Sequence, residues 1–253
     1  MAHSQRAEDG IERVQVVGRG PLNILGGDTF AQLNARLAEL EANPNTRVII
    51  LSGKGDAAFS AGMDLLEMKD LTPSDAESLI RLLHQGARKL LTMAVPAIAA
   101  IRGPCLGGAL EVALACDVRV AGQDALLGLP EVRVGIPSVI EASLLPRTIG
   151  LGRARQMLLS GNPVNAQEAL EIGLVNRVVA PEEVMSTAID LAKDLLGMSR
   201  DVLASQKAIV AKWLEVSEEE SNEFSIQEFI KRFKTTQPKE AMEAYLEKRP
   251  PRF

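Results

Sequence analysis

The chain has 253 residues, 46% of them hydrophobic and 24% charged, with a formal net charge of −5 and a sequence pI near 5.3. That length and apolar share fit one large domain, or a core with a smaller appendage, and exclude a disordered chain. The acidic balance excludes a surface built to gather nucleic-acid phosphates.

From the N-terminus, MAHSQRAEDGIER is polar and lacks the apolar stretch of a secretion signal. Val14 to Val17 reads as a strand broken by Gly18, Gly20 and Pro21. Asp28 is placed to cap a helix whose Leu33, Leu37 and Leu40 share one stripe, ended by Pro44-Asn45. Arg47 to Ser52 reads as a buried strand, followed by the small-residue loop SGKGDAAFSAG. A short helix is expected around Asp64 to Lys69. A longer one runs from Pro73 to about Thr92, with Thr72 as cap and proline at its first position. Ala97 to Arg102 is a strand, Gly103 to Gly108 a loop, and Ala109 to Ala115 a helix. Val118 to Ala121 and Ala125 to Gly128 are short strands. Ser138 to Ile149, Arg153 to Ser160 and Ala166 to Ile172 read as helices, and Val175 to Val179 as the last strand. From Pro181 the pattern is helical to the end. The expected class is α/β with an α-helical appendage.

Several chemistries drop out at this stage. With His3 and His84 the only histidines, a His-rich metal site is excluded, and a Ser-His-Asp scheme would hang on His84 alone. Cys105 and Cys116 form no CxxC and read as buried thiols of a reducing compartment. The longest apolar run, Leu90 to Ile101, has 12 residues and contains Pro96, too short to span a membrane. A soluble, cytoplasmic protein is the expectation. A dinucleotide-binding reading of Gly18 to Gly27 fails because Asn23 stands where the third glycine of GxGxxG belongs.

Three places remain where chemistry can live. Phe59-Ser60-Ala61-Gly62-Met63-Asp64-Leu65 feeds a strand into a helix start, whose free N–H groups suit developing negative charge. Gly103 to Glu111 (GPCLGGALE) repeats the arrangement and adds Glu111, the lone polar side chain in an apolar helix, where an ionised carboxyl is costly unless partnered. Glu131 sits on the proline- and glycine-shaped stretch LLGLPEVRVGIP. Taken residue by residue, an ordinary turn at 59–65 and a solvated Glu131 are the plainer readings. Glu111 is balanced between a site and a wet helix face, and Glu141 reads as a helix-surface or salt-bridged residue.

In this order and spacing the segments resemble the crotonase (enoyl-CoA hydratase/isomerase) superfamily over nearly the whole chain. FSAGMDLLEM (Phe59 to Met68) and VPAIAAIRGPCLGGALEVALACD (Val95 to Asp117) are similar to its two oxyanion-hole segments. GLPEVRVGIP (Gly128 to Pro137) is similar to its second acid/base segment, and AQEALEIGLVNRVV and the terminal LEKRPPRF to its downstream stretches. The resemblance implies a spiral of repeated ββα units over residues 1–195. It also implies a helical region over 196–253 that builds homotrimers or dimers of trimers, and an acyl-CoA thioester as substrate. No metal is implied, and no cofactor beyond the coenzyme A carried by the substrate.

By the same resemblance the amides of Met63 and Gly108 form the oxyanion hole, and Ala61, Gly62, Asp64, Leu65, Gly107 and Pro130 join them in holding substrate. Glu111 would deprotonate water while Glu131 holds it and supplies the α proton. Both carboxyls together imply a 2-enoyl-CoA hydratase. A 3-enoyl to 2-enoyl-CoA isomerase working mainly through Glu131 is the alternative, and a non-catalytic acyl-CoA-binding scaffold a further one. The chain departs from the family pattern in its short lead before Ile11, in Leu66 where lysine is common, in Ala109 for a glycine, and in Ser138 for a glycine near the water. His84 falls where dehalogenating relatives carry a histidine, but no carboxylate stands at their nucleophile position. The basic residues Lys231, Arg232, Lys234, Lys239, Lys248 and Arg249 suit CoA phosphates or an ordinary solvated helix surface.

Overall fold

The structure, a computed structural model, describes residues 5–8 and 10–253; His3 lies outside the described residues. Strand β1 (Gln5–Glu8) pairs antiparallel with β2 (Ile11–Val16), so the short lead before Ile11 is enough for a hairpin. Helix α1 (Gly27–Ala42) follows, then β3 (Val48–Gly53), α2 (Leu65–Met68) and α3 (Pro73–Thr92). Next come β4 (Ala97–Ile101), β5 (Pro104–Leu106), α4 (Gly108–Leu114), β6 (Val118–Gly122) and β7 (Leu126–Gly128). Two 3-10 turns, Glu131–Val134 and Ile140–Leu144, lead into α5 (Leu145–Ile149) and α6 (Leu151–Ser160). The chain continues through β8 (Val164–Asn165), α7 (Ala166–Glu171), β9 (Arg177–Val179) and a 3-10 turn at Pro181–Glu183. It finishes with α8 (Val184–Leu196), α9 (Arg200–Glu215), α10 (Glu218–Phe233) and α11 (Gln237–Leu246).

The strands form a six-stranded sheet in the order β1-β2-β3-β4-β6-β9, parallel from β2 onward, and a three-stranded sheet β5-β7-β8. The unit β4–β5–α4 gives one strand to each sheet and then a helix. In the preceding turn β3 is followed by Ser60, which bridges to Cys105 of β5, and then by α2 and α3. In the following turn β6 and β7 lead to the 3-10 turns and α5. The backbone therefore repeats a ββα unit although the sequence shows no fixed period. Strands buried on both faces read as unbroken apolar runs. In β3, Ile49 and Leu51 enter the main core with α1, α3 and α4, while Val48 and Ile50 face α8 through Val184, Ala188 and Ala192.

Several local expectations shift. Asp28 does not cap α1: Gly26 holds that position without a side-chain bond, and Glu67 of α2 accepts from the amide of Gly27 at 3.3 Å instead. Thr72 and Asp75 form the expected capping box on α3. The stretch Ser138 to Ile149 is not one helix; a 3-10 turn precedes α5 because Pro146 lacks the N–H an unbroken helix would need. The short strands β5 and β8 are not among the elements expected from the sequence. Cys105 and Cys116 are buried free thiols, and burial pushes the Cys116 thiol up to about 12.

One buried side chain fixes the end of α4. The guanidinium of Arg119, on β6, donates to the carbonyls of Cys116 at 2.9 Å and Leu174 at 2.8 Å and reaches those of Ala113 and Leu114. Helix ends leave carbonyls without partners, and here a strand residue satisfies them. Arg119→Leu is expected to destabilise the protein by about 3 kcal/mol, read as a lower denaturation midpoint with an unchanged denaturant slope.

Candidate active site

Two loops meet at a parallel bridge between Ser60 and Cys105: the amide of Ser60 donates to the carbonyl of Pro104 at 2.9 Å and that of Leu106 to the carbonyl of Ser60 at 3.0 Å. Met63 and Gly108 each stand three residues beyond this pair, so the register that joins the loops also aligns their helix starts. Among the described residues neither the Met63 nor the Gly108 amide donates to a protein group. Gly62, with φ +100°, makes the approach possible, since a Cβ there would lie 2.9 Å from the Leu106 carbonyl oxygen. The Met63 thioether leans over the start of α4, 3.3 Å from where a Gly108 side chain would begin.

Glu111 lies one turn into α4, 3% exposed, and its Oε2 has no hydrogen-bond partner. Burial foremost, then the neighbouring carboxyls of Glu131 and Glu141, push its pKa up to about 8. Glu131 begins the 3-10 turn after Pro130, and its Oε2 accepts from the Ser138 hydroxyl at 2.8 Å. Its Oε1 comes so near Gly107 that a Cβ there would meet it at 2.7 Å; Gly107 also has φ +58°. Glu111 and Glu131 line one space of about 30 Å³, together with Met63, Met68, Ile80, Leu83, Gly108 and the 136–139 stretch. A water needs roughly 10–15 Å³ and two or more polar partners, and the two carboxyls supply them.

A larger cleft of about 300 Å³ opens outward from Glu131, lined by Ala61, Gly62, Met63, Leu65, Met68, Gly107, Pro130, Arg133, Val134 and Ile136. Of the expected substrate-contacting residues, Gly108 lines the inner space instead and Asp64 lines neither. Its carboxylate caps α2 by accepting from the Leu66 amide at 2.9 Å and pairs with Arg19 at 2.7 Å. Leu66 is exposed. Met68, Arg133, Val134 and Ile136 were not singled out from the sequence, because ordinary apolar and basic residues on short turns carry no local signal.

Glu141 is not on a surface: it is 4% exposed, and its Oε1 lies 2.9 Å from Nδ1 of His84 on α3. Burial raises its carboxyl, against the downward pull of His84 and Arg88. The basic tail is largely occupied with its own acids: Lys231 with Glu228, Arg232 with Asp201, Lys239 with Glu243, and Arg249 with Glu240 and Glu247. Among the described residues no group of three or more His, Cys, Asp or Glu side chains is placed to hold a metal, and no helix is long and apolar enough to cross a membrane.

The site thus joins two unpartnered amides to one buried and one half-buried carboxyl. The enoyl-CoA hydratase/isomerase family model matches residues 6–253. The chain belongs to the enoyl-CoA hydratase/isomerase family. A short-chain-enoyl-CoA hydratase of Clostridium acetobutylicum is 34% identical over 229 residues, covering 90% of this chain and 88% of its own. A crotonyl-CoA hydratase of Syntrophomonas wolfei is 34% identical, covering 92% and 90%. The solved enoyl-CoA hydratase of Bacillus anthracis superposes with a TM-score of 0.95 at 29% identity, covering 100% of this chain and 98% of that one. The fold is thus that of the enoyl-CoA hydratase/isomerase family, and the ββα repeat is the family's.

Because the folded-state pKa of Glu111 lies above its unfolded value, the group stabilises the fold while protonated and loses that contribution as pH rises toward about 8. Glu111→Gln, which stays neutral, is expected to melt higher than the parent near pH 9, by on the order of 5 °C, with the gap closing near pH 5. Thermal unfolding without ligand across that range measures it.

Proposed function

We propose that the protein is an enoyl-CoA hydratase, adding water across the 2,3-double bond of a 2-enoyl-CoA thioester. The observation that carries the reading is that Glu111 and Glu131 line one water-sized space directly beside the amides of Met63 and Gly108. Its family membership and the names of its relatives point the same way.

The chemistry follows from that arrangement. The thioester carbonyl oxygen accepts from the Met63 and Gly108 amides, with the acyl part directed inward past Gly107 and the rest of the CoA leaving through the outer cleft. Water attacks the β-carbon and gives a proton to one carboxylate. The electron pair of the double bond becomes an enolate whose charge rests on the oxygen facing the two amides, a pair worth about 2.7–4 kcal/mol per donor. The other carboxyl then gives a proton to the α-carbon, so the dyad ends with as many protons as it began. Resting Glu111, the more buried of the two, holds a proton, and Glu131 receives the Ser138 hydrogen bond. The bridging water lets that proton cross, which brings Glu111 to the water-activating form that the family resemblance assigns to it. No metal or further cofactor enters this scheme.

Helices α9, α10 and α11 leave Trp213, Phe229, Phe233 and Tyr245 exposed, and we assign to them the contact between copies in a trimer or a dimer of trimers. Light scattering is expected to give a mass of three or six chains, which a monomer would contradict.

Purified protein is expected to bleach the ultraviolet enone band of crotonyl-CoA. Glu111→Gln and Glu131→Gln are each expected to slow it by about 10²–10⁴-fold. Formation of the enone band from a 3-enoyl-CoA, undiminished in Glu111→Gln but lost in Glu131→Gln, with crotonyl-CoA left unhydrated, would instead support the isomerase. Binding of crotonyl-CoA without turnover would leave a scaffold.

A further inference from the structure

Glu111 owes its position to more than α4. The Ile140–Leu144 turn packs against α4, Val139 lines the same space as Glu111, and the backbone of Val139 and Glu141 draws the Glu111 pKa down against burial. They belong to a turn that is costly to hold: Ile140, between them, has φ +41°, a left-handed conformation that a β-branched side chain adopts only under constraint. The constraint is visible. The Glu141 side chain runs inward, is 4% exposed, and meets His84 Nδ1 at 2.9 Å. His84 stands on α3, which also packs on α4 and is therefore fixed relative to Glu111. The second Glu141 oxygen has no hydrogen-bond partner, so the histidine is the anchor of this carboxyl.

We propose that His84 and Glu141 form a pin that holds the strained Val139–Glu141 turn against Glu111, making both of them positioning residues for the water-handling carboxyl. A salt bridge kept only for stability would have no reason to sit beside an unfavourable backbone angle and a third buried carboxyl. The left-handed residue sits where the turn packs on α4, and a carboxylate–imidazole contact across two elements is a means of holding it there. The charged and titratable groups around the device are Glu131, on the turn facing Glu111, with His84 and Arg88 on the helix facing Glu141. Arg88 is itself paired with Glu215 of α9 at 2.5 Å.

The kinetic arm of the test rests on the hydratase reading, whereas the spectroscopic arm does not. The carboxyl carbon of Glu111 in the ligand-free protein, labelled with carbon-13 and assigned by its loss in Glu111→Gln, is titrated in the parent, His84→Ala and His84→Asn. Half of the His84 side chain is exposed, so truncation does not open the core. His84→Ala is expected to raise the Glu111 midpoint by about 0.5 unit or more, because the backbone of Val139 and Glu141 drifts away from the carboxyl. His84→Asn keeps a donor near the place of Nδ1 and is expected to return the midpoint toward the parent's. On crotonyl-CoA, His84→Ala is expected to lose about tenfold in kcat with KM little changed, as for a loss confined to the chemical step, and His84→Asn to regain most of it. A Glu111 midpoint in His84→Ala equal to the parent's overturns the pin, whatever the rate does. A raised midpoint in a protein that fails to hydrate crotonyl-CoA upholds the pin and overturns the hydratase reading instead.

Discussion

A carboxyl group enclosed by an apolar helix is the constraint around which the site is organised. Glu111 has Leu110, Val112, Ala113 and Leu114 as chain neighbours, all buried. Burying an ionised carboxylate unpartnered costs far more than a protein of this size can spare. The group must therefore keep its proton, meet polar partners, or do both. Here it keeps the proton to about pH 8 and shares a water-sized space with Glu131, while the backbone of Val139 and Glu141 approaches from a turn with one left-handed residue. Each neighbouring feature answers that need: Gly107 lets the Glu131 carboxyl come close, Ser138 holds its outer oxygen, and Glu141 reaches back to His84.

The two unpartnered amides, of Met63 and Gly108, arise differently. Neither loop spends a side chain on them. The parallel bridge at Ser60 and Cys105 sets the register, two glycines with positive φ allow the chains to touch and turn, and the Gly108 amide is left without a partner because α4 begins there, as is the Met63 amide just ahead of the α2 cap. The side chain at position 63 is then free to vary, and methionine uses that freedom to cover the inner space. The same winding accounts for the fold: the turns with β4 and β6 each add a strand to the six-stranded sheet and a shorter one to the second sheet, and the turns before them continue that layer as the bridges Leu25–Met63 and Ser60–Cys105.

Much of this was legible as pattern. The apolar runs at 48–53 and 97–101 are strands because both faces are covered, one by α1, α3 and α4 and the other by α8. The Thr72-Pro73 start of α3 is local chemistry and was read correctly. Asp28 misled because a good capping residue lost its place to Glu67, which lies 39 residues further along the chain. The Asp64 carboxylate serves the helix it opens and Arg19. The tail lysines and arginines looked available as a list, yet most face acids one helical turn or one element away.

The sequence by itself determined the family, the interleaving of strands and helices, and the identity of the two carboxyls and the two glycine-bearing loops, because these depend on residue type, short-range spacing and motif order. The tertiary structure alone decided that Glu141 turns inward to His84, that Ile140 takes a left-handed angle, and that Met68, Val134 and Ile136 wall the cleft. Those features join segments as far apart as residues 84 and 141, and a contact made across that separation leaves no periodicity in either partner. A buried carboxyl and a solvated one are spelled with the same letter, and only packing distinguishes them.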